Sequence, residues 1–205
     1  MTTTMIKRTA EAFMESIILE PVNGGNIGLC RDLCNELMAF QKAQATFAPE
    51  CFDMMSFDTR MKKSFESAQR SHVLIAKDNC VPAGYVFSTI DNVTESDRAA
   101  YPDWAPKVEN GVGFYPDWLK LPQKIGCLSN LYLREKYRST GLGAKLFDAA
   151  MLWLESFEDV DLSFVFISNG NKNALDFYLK HGFTHSHEVF GGFITAAYRV
   201  KKQNA

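Results

Sequence analysis

The chain has 205 residues, 46% hydrophobic and 22% charged, proportions of a globular domain that exclude wholesale disorder. Twenty-two Lys and Arg against 24 Asp and Glu give a net charge of −2, which speaks against nucleic acid as a main partner. Five cysteines without a CxxC pair fit the reduced thiols of a cytoplasmic protein, and no apolar run approaches membrane-spanning length. The opening MTTTMIKRTAEAF lacks the apolar stretch of a secretory leader, so a soluble intracellular chain is expected. Length favours a single domain over residues 1–205.

The β-branched segment Glu15–Val22 reads as a first strand, broken by Asn23-Gly24-Gly25-Asn26. From Gly28 to about Ala45, Leu29, Leu33, Leu37, Met38 and Phe40 recur at helical spacing, and Cys30 and Cys34 share that apolar face. After a loop rich in Phe and Met, Asp58 is expected to cap a second helix running to about Arg70. His72–Lys77 and Ala83–Ile90 form a hairpin pattern around Asp78–Pro82. The stretch from Asp91 to Lys124 fits no regular element, and within it Tyr101-Pro102-Asp103-Trp104 recurs as Tyr115-Pro116-Asp117-Trp118. Two such tetrapeptides are too few for a repeat architecture, so 91–124 is read as an insertion. Ile125–Leu133 is then a strand, Gly141–Phe157 a long amphipathic helix, and Asp161–Ser168 a strand apolar enough to be buried on both faces. Asn173–His181 is a short helix ending at Gly182, and Thr184–Phe190 and Phe193–Val200 flank Gly191-Gly192 as a two-residue hairpin. This order implies an α/β domain, a mixed sheet with helices on both faces.

The densest chemical signal is the strand–loop–helix passage from Leu131 to Ala144. Glycines at 141 and 143 let backbone approach an anion, and N–H groups at a helix start supply partial positive charge suited to a pyrophosphate. A bare tight connection would also use two glycines. A dinucleotide GxGxxG would need glycine at Leu146, and the spacing of a P-loop is absent.

Arg138-x-x-Gly141-x-Gly143, after the strand end Leu131-Tyr132-Leu133, resembles the acyl-CoA signature of the GNAT superfamily of N-acyltransferases. Asn171-x-x-Ala174-x-x-x-Tyr178-x-x-x-Gly182-Phe183 resembles the second signature of that superfamily, in the expected order. The resemblance implies a mostly antiparallel central sheet with a splayed parallel strand pair, Leu128–Leu133 beside Leu162–Ser168. It implies acetyl-CoA as co-substrate, its pantetheine near Leu131, Tyr132 and Leu133 and touched by Asn171. Its pyrophosphate would lie on amides of Arg138, Ser139, Thr140, Gly141, Leu142, Gly143 and Ala144. Tyr178 matches the usual general acid.

The implied reaction, N-acetyl transfer to a primary amine, asks for such groups on its own terms. Negative charge develops on the thioester oxygen, where backbone N–H groups help, and then on sulfur, where a phenol can supply a proton. The amine must shed a proton from a pKa of about 10.4. Many relatives carry Glu or Asp in the strand before the cradle; this strand offers Cys127, Ser129 and Asn130, none a good base. That departure keeps a silent acyl-CoA-binding or sensing module as the alternative. His185 and His187 would share one face of a strand, but no nearby acid or cysteine completes a metal site with them and His181, so no metal is expected. In the insertion, Tyr101, Trp104, Phe114, Tyr115 and Trp118 are interleaved with Asp91, Glu95, Asp97, Asp103, Glu109 and Asp117. Aromatic faces and carboxylates together suit a small cationic amine, with Trp104 and Trp118 as substrate-binding residues. The same aromatics would also serve packing onto the domain, or a homodimer interface.

Overall fold

The structure, a computed structural model, describes residues 16–109 and 111–201. Strands β1 (Ile17–Val22), β2 (Arg70–Asp78), β3 (Val81–Val93), β4 (Gln123–Leu133), β5 (Leu162–Ser168), β6 (Thr184–Val189) and β7 (Ile194–Val200) form one sheet in the order β1-β2-β3-β4-β5-β7-β6. All neighbours run antiparallel except β4 and β5, which are parallel. The expected strand start at Glu15 lies outside the described residues.

Helices cover both faces, as the apolar run through β3 requires: Ala83 to Ile90 are all buried. On one face α1 (Arg31–Gln44) lays Leu33, Cys34, Leu37 and Met38 against Val73, Ile75, Tyr85 and Phe87. On the other, α4 (Leu142–Glu155) packs Leu146, Phe147, Ala150 and Leu154 onto Val86, Ile90, Leu128 and Val165. Tyr178 of α5 (Lys172–Lys180) joins that second core.

Several boundaries differ from the sequence reading. A 3₁₀ turn, Ile27–Cys30, precedes α1, so Gly28 is not α-helical. Ser56, not Asp58, caps the next element: its hydroxyl accepts from Thr59 N while the Thr59 hydroxyl accepts from Ser56 N. A π-helical turn, Phe57–Met61, follows and leads into the short helix α2 (Lys62–Ser67); Asp58 instead pairs with Arg31. β3 continues to Val93 and β4 begins at Gln123, leaving 94–122 as the irregular stretch, with one short helix α3 (Glu95–Ala99). The last hairpin turns through residues 190–193 rather than two glycines, because the fully buried Phe190 ring is drawn into the core at φ +50. A bulge at Ser186 sets His185 and His187 opposite consecutive residues of β7, hence on opposite faces, not on a shared one.

Where α1 ends it is fastened to the end of β5. Asn169 Oδ1 accepts from Thr46 N (2.7 Å) and Phe47 N (2.9 Å), while Nδ2 donates to the Phe47 and Phe193 carbonyls. Gly170 lets the chains meet: at φ +77, a Cβ there would lie 1.9 Å from the Gln44 carbonyl oxygen. Gly170→Ala should therefore destabilise the domain by about 2 kcal/mol or more, read as a lower urea midpoint. Gly28→Ala, where an added Cβ meets nothing within 4 Å, is the control and should shift it little.

Candidate active site

β4 and β5 pair only at Ile125 with Leu162, Gly126 with Ser163 and Cys127 with Phe164. Just beyond, Phe87 pairs with Asn130 and Ser88 with Leu128, so Ser129 is bulged out of the β3–β4 ladder. A bulge bends and twists its strand, and here it coincides with the divergence of β4 from β5. The resulting slot is lined by Leu128, Leu131, Val165 and Ile167, with Leu37 and Gln41 of α1 on one side and Ala174 and Tyr178 of α5 on the other. Backbone groups of β4 facing β5 beyond Cys127 have no ladder partner there.

The loop from β4 to α4 presents unused donors. Arg138 N is committed to the Glu135 carbonyl at 3.0 Å, and Leu142 N makes only a long 3.4 Å contact with the Thr140 hydroxyl. The amides of Ser139, Thr140, Gly141, Gly143 and Ala144 have no acceptor among the described residues. Ser139 at φ +60 and Gly141 at φ +90 turn this backbone outward, and a Cβ on Gly141 would meet open space. The Arg138 side chain points back instead. Its Nε donates to the Leu133 carbonyl at 3.0 Å, and its guanidinium lies 4.4 Å from the Phe40 ring and 5.7 Å from Tyr132. Tyr132 thus faces α1, whereas Leu131 faces the slot.

α5 is set by its ends. Asn171 caps it, accepting from Ala174 N at 3.2 Å, and also lines the slot. Gly182, at φ +86, closes it with Phe183 N donating to the Tyr178 carbonyl. Tyr178 is 6% exposed, and burial, with the Cys127 thiol adding, pushes its phenol well above the ordinary value. It stays protonated at any working pH.

A second cavity of about 210 Å³ opens on the α1 face and shares Ser129, Asn130 and Phe166 with the slot. Phe87, Thr89 and Asp91 reach it from β3 as alternate residues, Ile125 and Cys127 from β4, Arg60 from the π-helical turn, and Phe114 and Tyr115 from the insertion. Asp91, whose Oδ1 accepts from Gln69 N at 2.9 Å, is the carboxylate among the described lining residues. Continuing the alternation of β3 past Ile90 would have found it; nothing in the sequence marked Arg60. Of the other acids of the insertion, Glu95, Asp97, Asp103, Glu109 and Asp117 are exposed.

The two tryptophans part company. Trp104 packs its ring against Phe114, Phe190 and Phe193 and borders a small recess that continues from the cavity past Arg60. Trp118, 51% exposed, lies on Phe164 and Tyr198 and lines none of these spaces. His181, His185 and His187 bond to the Phe177 carbonyl, Glu188 and the Gly113 carbonyl respectively.

Comparison with known proteins agrees with this architecture. The family model of the GNAT acetyltransferases matches residues 37–183, and the chain belongs to that family. No curated protein matches it by sequence. Among solved structures it is similar to the PaiA N-acetyltransferase of Thermoplasma acidophilum in complex with coenzyme A. The TM-score is 0.60 at 14% identity, over 90% of this chain and 99% of that one. It is similar also to an acetyltransferase of Thermus thermophilus, at TM-score 0.56 and 16% identity over 90% and 97% of the two chains. Arabidopsis thaliana Naa50, solved with a bisubstrate analogue, gives 0.51 and 14% over 90% and 98%. At such identities the likeness is one of fold. No helix among the described residues is long and apolar enough to cross a membrane.

Cys127 lines the cavity but is no ready nucleophile, since burial raises its thiol pKa to about 11 against the smaller opposing effects of Ser129 and Arg60. At pH 8 its thiolate fraction is then about two orders of magnitude below that of a free thiol of pKa about 8.5. Alkylation by iodoacetamide, followed at this cysteine by mass spectrometry, should be correspondingly slow and rise about tenfold per pH unit towards pH 10.

Proposed function

We propose that this chain transfers an acetyl group from acetyl-CoA to the nitrogen of a primary amine. The observation that carries the reading is the gap in the sheet. Where β4 leaves β5, a slot reaches from Leu131 to Tyr178, and Ser129 and Asn130 line both it and a second cavity; the loop that follows β4 carries the outward amides at the start of α4. The residues fit the co-substrate. A pantetheine arm bears amides that complement the unpaired strand edge of β4, and a pyrophosphate suits the free donors at the start of α4. Acetyl-CoA supplies the thioester; the chain holds and orients it.

On the acceptor side, Asp91 attracts the ammonium form of the amine and, through water, takes the proton that must leave before attack. Asp91 thereby stands in for the carboxylate that β4 lacks. Tyr178, kept neutral by burial, donates a proton towards the departing thiolate. The surface acids of the insertion do not line the cavity, so the acceptor is defined by Asp91, Arg60 and the aromatic walls rather than by a general negative field.

The test is calorimetric binding of acetyl-CoA followed by free-thiol detection across a panel of primary amines. Binding with amine-dependent release of CoA is expected; tight binding with no release from any amine would make the protein a silent acyl-CoA-binding module. Tyr178→Phe keeps the ring and deletes the donor, and should lower kcat by about 10²-fold with acetyl-CoA binding nearly unchanged. In the wild type, kcat/KM should climb with pH from 6 to 9, because the neutral amine fraction grows about tenfold per unit below a pKa of about 10.4. No alkaline loss should come from Tyr178, whose raised pKa keeps it protonated throughout.

A further inference from the structure

We infer that the acceptor cavity holds an anionic group beside Arg60, and that the acceptor is accordingly a small amino-carboxylate with an apolar side chain. This rests on the transferase reading above and names its acceptor class. Arg60 lines both the main cavity and the recess behind it, half-buried, and its Nη1 lies 3.9 Å from Met38 Sδ. No carboxylate pairs with it among the described residues. Every other described arginine has such a partner or an aromatic face. Arg31 pairs with Asp58, Arg98 with Glu95, Arg134 with Glu36 and Arg199 with Glu155, while Arg70 covers Phe157 and Arg138 covers Phe40.

The guanidinium is set deep enough to act on the sheet. Its charge favours the ionised forms of Cys34 on α1, Tyr85 on β3 and Cys127 on β4. A cation held partly out of water without a counter-ion is costly, and a bound anion relieves that cost. Asn130, 5% exposed and lining the same cavity, adds a buried side-chain nitrogen that has no acceptor. The cavity therefore offers donors without acceptors. Asp91 offers the opposite charge in the same cavity. A zwitterion meets both: ammonium to Asp91, carboxylate to Arg60, and an apolar body among Phe87, Phe114, Tyr115 and Phe166. A purely cationic amine would leave Arg60 uncompensated and be repelled by it.

The experiment pairs compounds that differ only in the carboxylate, namely phenylalanine with phenethylamine and leucine with isopentylamine. Their N-acetyl products serve as binding probes. By calorimetry, wild-type protein should bind at least one N-acetylated amino acid tenfold or more tightly than its decarboxylated partner, a difference that shrinks with added salt. Arg60→Met should erase the difference while acetyl-CoA affinity and the circular dichroism melt stay near wild type; Arg60→Lys should restore part of it. In turnover, the same preference should appear in the acceptor KM. Equal binding of both members of each pair, or no binding of either, overturns the proposal, as does an Arg60→Met variant that keeps the preference. Acetyl transfer to the amines with no carboxylate preference sinks the anion site and leaves the transferase reading standing. A carboxylate preference in binding with no CoA release does the reverse.

Discussion

The parallel ladder between β4 and β5 stops at Cys127, and the rest of the site depends on that stop. A sheet interior normally pairs every backbone group, because a buried amide without a partner is costly. Here the cost falls where one extra residue, Ser129, turns β4 aside and leaves an edge inside the sheet. The neighbouring elements flank the gap. α1 supplies Leu37 and Gln41 from one face and α5 supplies Tyr178 from the other. The Asn169 clamp then keeps the end of α1 in register with the end of β5. What the sheet gives up in hydrogen bonds becomes a place for an extended ligand that carries its own amides.

Burial and charge then divide the labour across the gap. On the α5 side the environment is apolar and keeps the Tyr178 phenol protonated. On the α1 side, polar and charged groups reach the cavity from five separate elements: Arg60, Ser64, Thr89 and Asp91, Ser129 and Asn130, and Tyr115. Cys127 sits between them and, with its thiol kept protonated, does not compete as a nucleophile. The slot lies at the strand gap, and the second cavity is built from side chains of the surrounding elements.

The order of elements was legible because hydrophobic period and breaker residues acted locally, as at Gly182, whose role at the end of the helix appears in the structure. The glycine loop was legible for the same reason, and the splayed strand pair through the family resemblance. Boundaries set by distant contacts were not. Asp58 looks like a cap, yet Arg31 claims it and leaves the task to Ser56; the two-glycine turn widens because Phe190 is pulled inward. The apolar run stops at Ile90 and so sets Asp91 in the insertion, although the strand itself goes on to Val93. Arg60 carries no local mark, since its importance comes only from what surrounds it after folding. Five of the acids of the insertion face solvent, for charge counted along a chain says nothing about which side chains share a cavity.

The repeated Tyr-Pro-Asp-Trp tetrapeptide has a structural meaning that its sequence alone does not show. Each copy closes a turn through its proline carbonyl, with Ala105 N donating to Pro102 and Leu119 N to Pro116, and each turn buries the residue that follows the tryptophan. The first turn is riveted to Phe190 by Tyr101 and Trp104, the second to Phe164 by Tyr115 and Trp118. The insertion is thus a bridge on two piers, with Phe114 and Tyr115 held over the cavity at its second landing. Substitutions in the span between the piers can reshape the cavity wall at Phe114 while the supports stay in place, so that wall is free to diversify without loosening the sheet beneath it.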